Sequence, residues 1–144
     1  MGERVESLLA ELTLDEKALL TSGIDMWHAQ GVERLGIRGL KVSDGPAGAR
    51  GAFFAGTTSA CVPCGTALGA TWDTALVARV GRLLGEETRT KGADLLLAPT
   101  VNIHRTPLAG RNFECYSEDP FLSSAIGVAC SRIGCRRRRA VGWP

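Results

Sequence analysis

The sequence predicts an α/β fold with parallel strands, and three observations carry that prediction. Leu40–Ser43 and Asp94–Ala98 are short strand candidates, each running into a loop marked by glycine or proline. Between them, Leu76, Val77, Val80, Leu83 and Leu84 recur at helical spacing. A second helix start, Ser117-Glu118-Asp119-Pro120, follows the second strand. Strand, helix, strand, helix in that order implies a parallel crossover, right-handed by the usual rule.

The elements follow in chain order. Val5, Leu8, Leu9 and Leu12 predict a helix from Glu3, and the capping box Thr13-Leu14-Asp15-Glu16 starts a second short helix that runs to Leu20. Gly23 stops it, and Gly31–Gly39 is a polar connection anchored by Val32, Leu35 and Ile37. After the first strand, residues 52–70 hold Gly56, Pro63, Gly65 and Gly69 with no sustained period, so a long ordered loop is expected. Asp73 caps the clearest helix, whose Arg79, Arg82, Glu86 and Glu87 are left for solvent, and Lys91-Gly92 ends it. Leu95, Leu96 and Leu97 form a continuously apolar run, which predicts a strand buried on both faces; Pro99 terminates it. Trp27, His28 and Trp72 are expected to pack. Phe121, Leu122, Ala125, Ile126 and Ala129 extend the last helix. No internal repeat is present.

Parallel strands place both following loops on one rim, at the C-terminal ends of the strands, where α/β proteins build their sites. The first loop, K-V-S-D-G-P-A-G-A-R-G (41–51), carries Asp44 and Arg50; the unit from Asp94 to Glu114 carries Arg111. An acid and two guanidinium groups are therefore expected around one pocket. Each residue also has a plainer reading. Asp44 could cap a turn, and Arg111 could simply pair with Glu114 or Glu118. Asn112, Glu114 and His104 read as residues that shape their loop.

Composition bounds the remaining classes. The chain has 144 residues, 44% hydrophobic and 22% charged, which fits about one ordinary domain and no long apolar span. The net charge of +2 is local: removing Arg136–Arg139 from the 17 basic residues leaves 13 against 15 acidic ones. No partner in nucleic acid or membrane is expected, because no aromatic residue interleaves the arginine run and no signal segment is visible. A cytoplasmic setting is the default. Five cysteines without a leader argue against a disulfide framework. Cys61-Val62-Pro63-Cys64 lacks a second close pair for zinc, so free thiols are expected and neither metal nor other cofactor is assigned.

Seven segments, in order, carry a further reading: L-T-L-D-E-K-A-L-L (12–20), W-H (27–28), G-V-E-R-L-G-I (31–37), 41–51 as above, C-V-P-C-G-T-A-L-G-A-T-W-D (61–73), A-P-T-V-N-I-H-R-T-P-L-A-G-R-N-F-E (98–114) and Y-S-E-D-P-F-L (116–122). With these the chain resembles the N-terminal part of family 3 glycoside hydrolases, the β-glucosidase and β-xylosidase group. The resemblance implies a partial (β/α)8 TIM barrel, comprising the first two β/α units plus the N-terminal helices. It implies a retaining hydrolase of O-glycosyl bonds that takes a β-linked glucoside or related sugar. By the same resemblance, Asp44 accepts from two sugar hydroxyls, Arg111 donates to the same sugar, and Arg50 supports the pocket.

The family's nucleophile sits in a later Ser-Asp-Trp segment and its acid/base Glu later still, so no catalytic residue is expected among these 144. Ser43-Asp44-Gly45 corresponds to the sugar-binding Asp instead. Residues 1–134 are assigned to the barrel fragment, and 135–144 are an off-pattern Arg-rich tail. A fragment of this kind is expected to be inactive alone. The alternative is a non-catalytic carbohydrate-binding remnant, or one part of a split barrel. A nucleotide-binding module is disfavoured, because neither strand is followed by GxGxxG or GxxxxGK.

Overall fold

The computed structural model describes residues 2–51 and 57–134. The off-pattern tail, 135–144, and part of the long loop, 52–56, lie outside the described residues. The elements are α1 (Glu3–Glu11), α2 (Leu14–Leu20), β1 (Val42–Asp44), α3 (Gly65–Gly69), α4 (Thr74–Thr90), β2 (Leu95–Leu97) and α5 (Pro120–Gly134). Two 3-10 turns, Glu33–Leu35 and Asn112–Glu114, interrupt the connections.

Local chemistry starts most helices where the sequence places them. Thr13 and Glu16 form the reciprocal capping box, which breaks the N-terminal run into α1 and α2. Arg34 then reaches back from the first 3-10 turn to Glu16 at 2.7 Å. The Arg34 hydrogen bond holds the Glu16 carboxyl down at about 2. Asp73 caps α4 by accepting from Leu76 N–H at 2.9 Å. The cap of α5 is Asp119 rather than Ser117. Its carboxylate accepts from Phe121 and Leu122 N–H, while Ser117 Oγ only steadies the Asp119 amide.

The strands pair in parallel, Val42 opposite Leu95 and Asp44 opposite Leu97, with α4 as the connection. The start of the sheet is braced by Asp94, whose carboxylate takes a two-pronged contact from Arg38 and a bond from the Lys41 amide. The core lies between α4 and α5. Val77, Leu84, Leu122, Ile126 and Cys130 are buried there with Leu68 and Tyr116. Gly81 lets the two helices close: a Cβ at that position would stand 2.1 Å from the Cys130 carbonyl oxygen. Burial pushes the Tyr116 phenol and the Cys130 thiol up, so both stay neutral.

Several burial expectations are corrected. Leu95 and Leu97 are 48% and 49% exposed: they share one face of β2, which is left half open, while Leu96 on the other face packs against the core. Leu83 and Phe121 also fall outside the packed stripes of their helices. Trp72 is exposed; it occupies the outside of the α3–α4 turn with φ 54°. His28 is exposed too and bonds Asp25 at 2.9 Å through Nδ1, whereas Trp27 is half-buried. No described helix is long and apolar enough to cross a membrane.

Candidate functional site

The loop after β1 is built to stand still. Ser43 is fully buried, and its Oγ accepts from Gly51 N–H at 2.9 Å. Arg50 N–H donates to the Asp44 carbonyl at 2.9 Å, and Gly48 N–H to Gly45 at 3.1 Å. The chain therefore returns on itself within seven residues of the strand, carrying Arg50 back over Asp44. Gly45 makes this possible, since at φ 127° a Cβ would stand 1.8 Å from the Gly48 carbonyl oxygen.

The loop after β2 is held by carbonyl contacts. His104 Nε2 lies 2.7 Å from the Asn112 carbonyl and 3.1 Å from that of Cys115, so this nitrogen carries the proton and donates. Asn112 Nδ2 donates to the Thr106 carbonyl at 2.7 Å. These residues shape the loop, as expected of them. From the other side, α3 docks on the turn: Thr66 Oγ1 donates to the Asn112 and Cys115 carbonyls, and Gly65 touches Glu114.

The two loops meet over the ends of β1 and β2. A cleft of about 300 Å³ is lined by Asp44, Gly45, Arg50, Cys64, Arg111 and Glu114, with Pro46–Gly48, Ala60 and Phe113. Asp44, Arg50 and Arg111, the three residues chosen from the sequence, thus border one cavity. Arg50 Nε stands 3.9 Å from Asp44 Oδ2, a loose pair that leaves both groups acceptor and donor capacity. Arg111 is held differently. Its guanidinium grips Glu114 with two bonds, 2.9 Å and 2.6 Å. The Glu114 contact raises the Arg111 pKa, with a smaller contribution from Asp44, and Arg111 in turn holds Glu114 below the usual carboxylate range. The pairing of Arg111 with Glu114 and its place on the cleft therefore hold together. The guanidinium is aimed by Glu114 while its side chain stays 77% exposed.

Chemically, the rim combines one carboxylate with two forks of N–H donors. Such a set can serve a polyhydroxylated ligand, whose O–H groups would donate to the acid and accept from the guanidiniums. No group of three or more His, Cys, Asp or Glu placed to hold a metal occurs among the described residues. Cys61, Cys64, Cys115 and Cys130 are free thiols, two of them buried.

Two supports of the site escape the sequence. Helix α3 has five residues and no apolar period to announce it. Glu87 lies on the polar side of α4, yet it turns into the loops and accepts from Ala49 N–H at 3.0 Å and from Ala60 N–H. Its partners lie 38 and 27 residues away, beyond any local signal.

The family profile described as Glycosyl hydrolase family 3 N terminal domain matches residues 9–134. The chain belongs to glycosyl hydrolase family 3. Its family 3 relatives include the probable beta-glucosidase J of Aspergillus fumigatus, 52% identical over 136 residues, and the beta-glucosidase of Rhizobium radiobacter, 54% identical over 127. These matches cover 92% and 87% of the chain but 16% of each relative, so the chain spans about a sixth of their length. Among solved structures, the beta-glucosidase of Kluyveromyces marxianus in complex with glucose superposes with a TM-score of 0.83 at 45% identity, covering 90% of this chain and 16% of that one. The beta-glucosidase 3B of Thermotoga neapolitana in complex with alpha-D-glucose gives 0.80 at 36% identity, covering 92% and 21%. The two parallel strands and the cleft at their loop end all lie within the matched residues.

Proposed function

We propose that the chain supplies part of the sugar-binding rim of a β-glucosidase-type family 3 hydrolase, on the first two β/α units of a (β/α)8 barrel. In this reading Asp44 accepts from two adjacent hydroxyls of a glucosyl unit. Arg111, aimed by Glu114, and Arg50 donate to the same ring. The retaining chemistry would come from a carboxylate nucleophile and an acid/base outside these residues. The observation that carries the reading is the meeting of Asp44, Arg50 and Arg111 on one cleft at the strand ends. The two glucose-complexed relatives, close in backbone, support glucose as the ligand.

A calorimetric or NMR titration with glucose tests it. The chain should bind glucose weakly, roughly in the millimolar range, and Asp44→Asn should weaken binding by about tenfold through loss of the charge-assisted bonds. An aryl β-glucoside should not be turned over. Absence of binding, or binding indifferent to Asp44→Asn, would remove the assignment; turnover would put a nucleophile within these residues.

A further inference from the structure

Glu87 is anchored in α4 one turn before its end, on a helix whose Val77 and Leu84 are buried in the core. It does not line the cleft. Its two carboxylate oxygens are divided between two separate segments that do. Oε2 accepts from Ala49, which is fully buried and precedes Arg50; Oε1 accepts from Ala60, on the neighbouring segment that also lines the cleft. The segments are also tied to each other, by Ser59 Oγ to the Ala49 carbonyl and by Val62 N–H to Ala47 at 2.9 Å. Glu87 adds the link from this pair to a rigid helix. Lys91, one turn later, adds a second through the carbonyls of Thr57 and Thr58 at 2.6 Å.

We propose that Glu87 is a positioning residue for sugar recognition: it sets the height of the Gly45–Gly51 loop and thereby where Arg50 stands relative to Asp44. The inference deepens the assignment of the cleft to glucose and rests on it. An acceptor-only group is needed because both partners are N–H donors. Glutamine has nearly the same shape but turns an NH2 toward one of them, leaving a donor unpaired. Aspartate keeps both acceptors but is one methylene short.

Amide hydrogen exchange and glucose titration on the full chain test this together. In Glu87→Gln the amides of Ala49 and Ala60 should exchange at least about tenfold faster, while those of α4 and α5 keep their protection. Glucose binding should weaken by about tenfold. Glu86→Gln removes the same charge from an exposed neighbour and should alter neither readout. Glu87→Asp should show the same pattern as Glu87→Gln, reduced in size, and carries the comparison if Glu87→Gln does not fold. Unchanged exchange at Ala49 and Ala60 would overturn the clamp. Faster exchange with wild-type glucose affinity would overturn the positioning role. If the wild-type chain takes up no glucose, the sugar assignment falls and the role of Glu87 in recognition falls with it. The exchange data then still tell whether the clamp itself exists.

Discussion

The α4–α5 pair and the β1–β2 pair share one core but are finished to very different degrees. Between the helices, Val77 and Ile126 are fully buried and Leu84 nearly so. Each such side chain contributes about 1.5–3 kcal/mol on leaving water. On the sheet, Leu96 is half-buried against that core, while Leu95 and Leu97 stand half in solvent on the other face. The difference follows from geometry. Two helices can bury complementary stripes in each other, whereas two parallel strands satisfy one ladder and leave both faces to whatever lies above and below. Stability is therefore concentrated in the helix layer, and the loops around the cleft borrow it: Glu87 of α4 and Lys91 just past its end hold the segments around Arg50. The strands supply position, and the helices supply rigidity.

The sharpest way to break the contrast is at the helix crossing. Gly81→Val puts a branched side chain where even a Cβ would stand 2.1 Å from the Cys130 carbonyl. Helices α4 and α5 must separate, at a cost of about 3 kcal/mol or more. Urea or thermal unfolding should show either a large drop in midpoint or loss of the cooperative transition. Because the loops hang from α4, amide protection at Ala49 and Ala60 should fall with it. A variant with a wild-type transition would mean the helices are not the stable layer.

How much of this was legible depends on the range of each interaction. The Thr13–Glu16 capping box and the Asp73 cap act within three residues, so sequence reading places the starts of α2 and α4 correctly. Parallel pairing follows from element order, and with it the shared rim of Asp44, Arg50 and Arg111. What the sequence hides is set by distant neighbours. Leu95-Leu96-Leu97 reads as doubly buried, but burial depends on what covers a strand, not on the strand. Glu87 obeys the helical period that assigns it to solvent, yet loop amides far along the chain claim it. Helix α3 is too short for any period to reveal, although Thr66 and Gly65 brace the Arg111 turn. Ser117 loses the cap to Asp119 by two residues, a contest between two good capping side chains.

A smaller effect is expected at the start of the sheet. Asp94→Ala removes the two-pronged Arg38 contact and the acceptor for the Lys41 amide. The pair is partly exposed, with Arg38 at 59% and Asp94 at 23%, so screening reduces its worth. A loss of about 1 kcal/mol is expected, mostly from the freed backbone donor. If the strands are merely carried by the helices, exchange should quicken around Lys41 and Leu95 without change in α4 or α5. A uniform loss of protection would mean that the strand pair and the helix pair unfold as one unit.

The smallest effect separates the two layers most cleanly. Leu97→Thr replaces a side chain that is half in water with a β-branched residue that suits a strand. Unlike any substitution at Val77 or Ile126, it opens no cavity in the α4–α5 core, since Leu97 is not part of that cluster. Stability should change by no more than about 0.5 kcal/mol. Solubility should rise, because one apolar side chain beside an open parallel edge is removed from the surface. Unfolding curves and light scattering at matched concentrations measure both quantities. A loss as large as that from a core truncation would show that Leu97 is covered in solution, and the contrast between a finished helix layer and an open sheet would then fail at its clearest point.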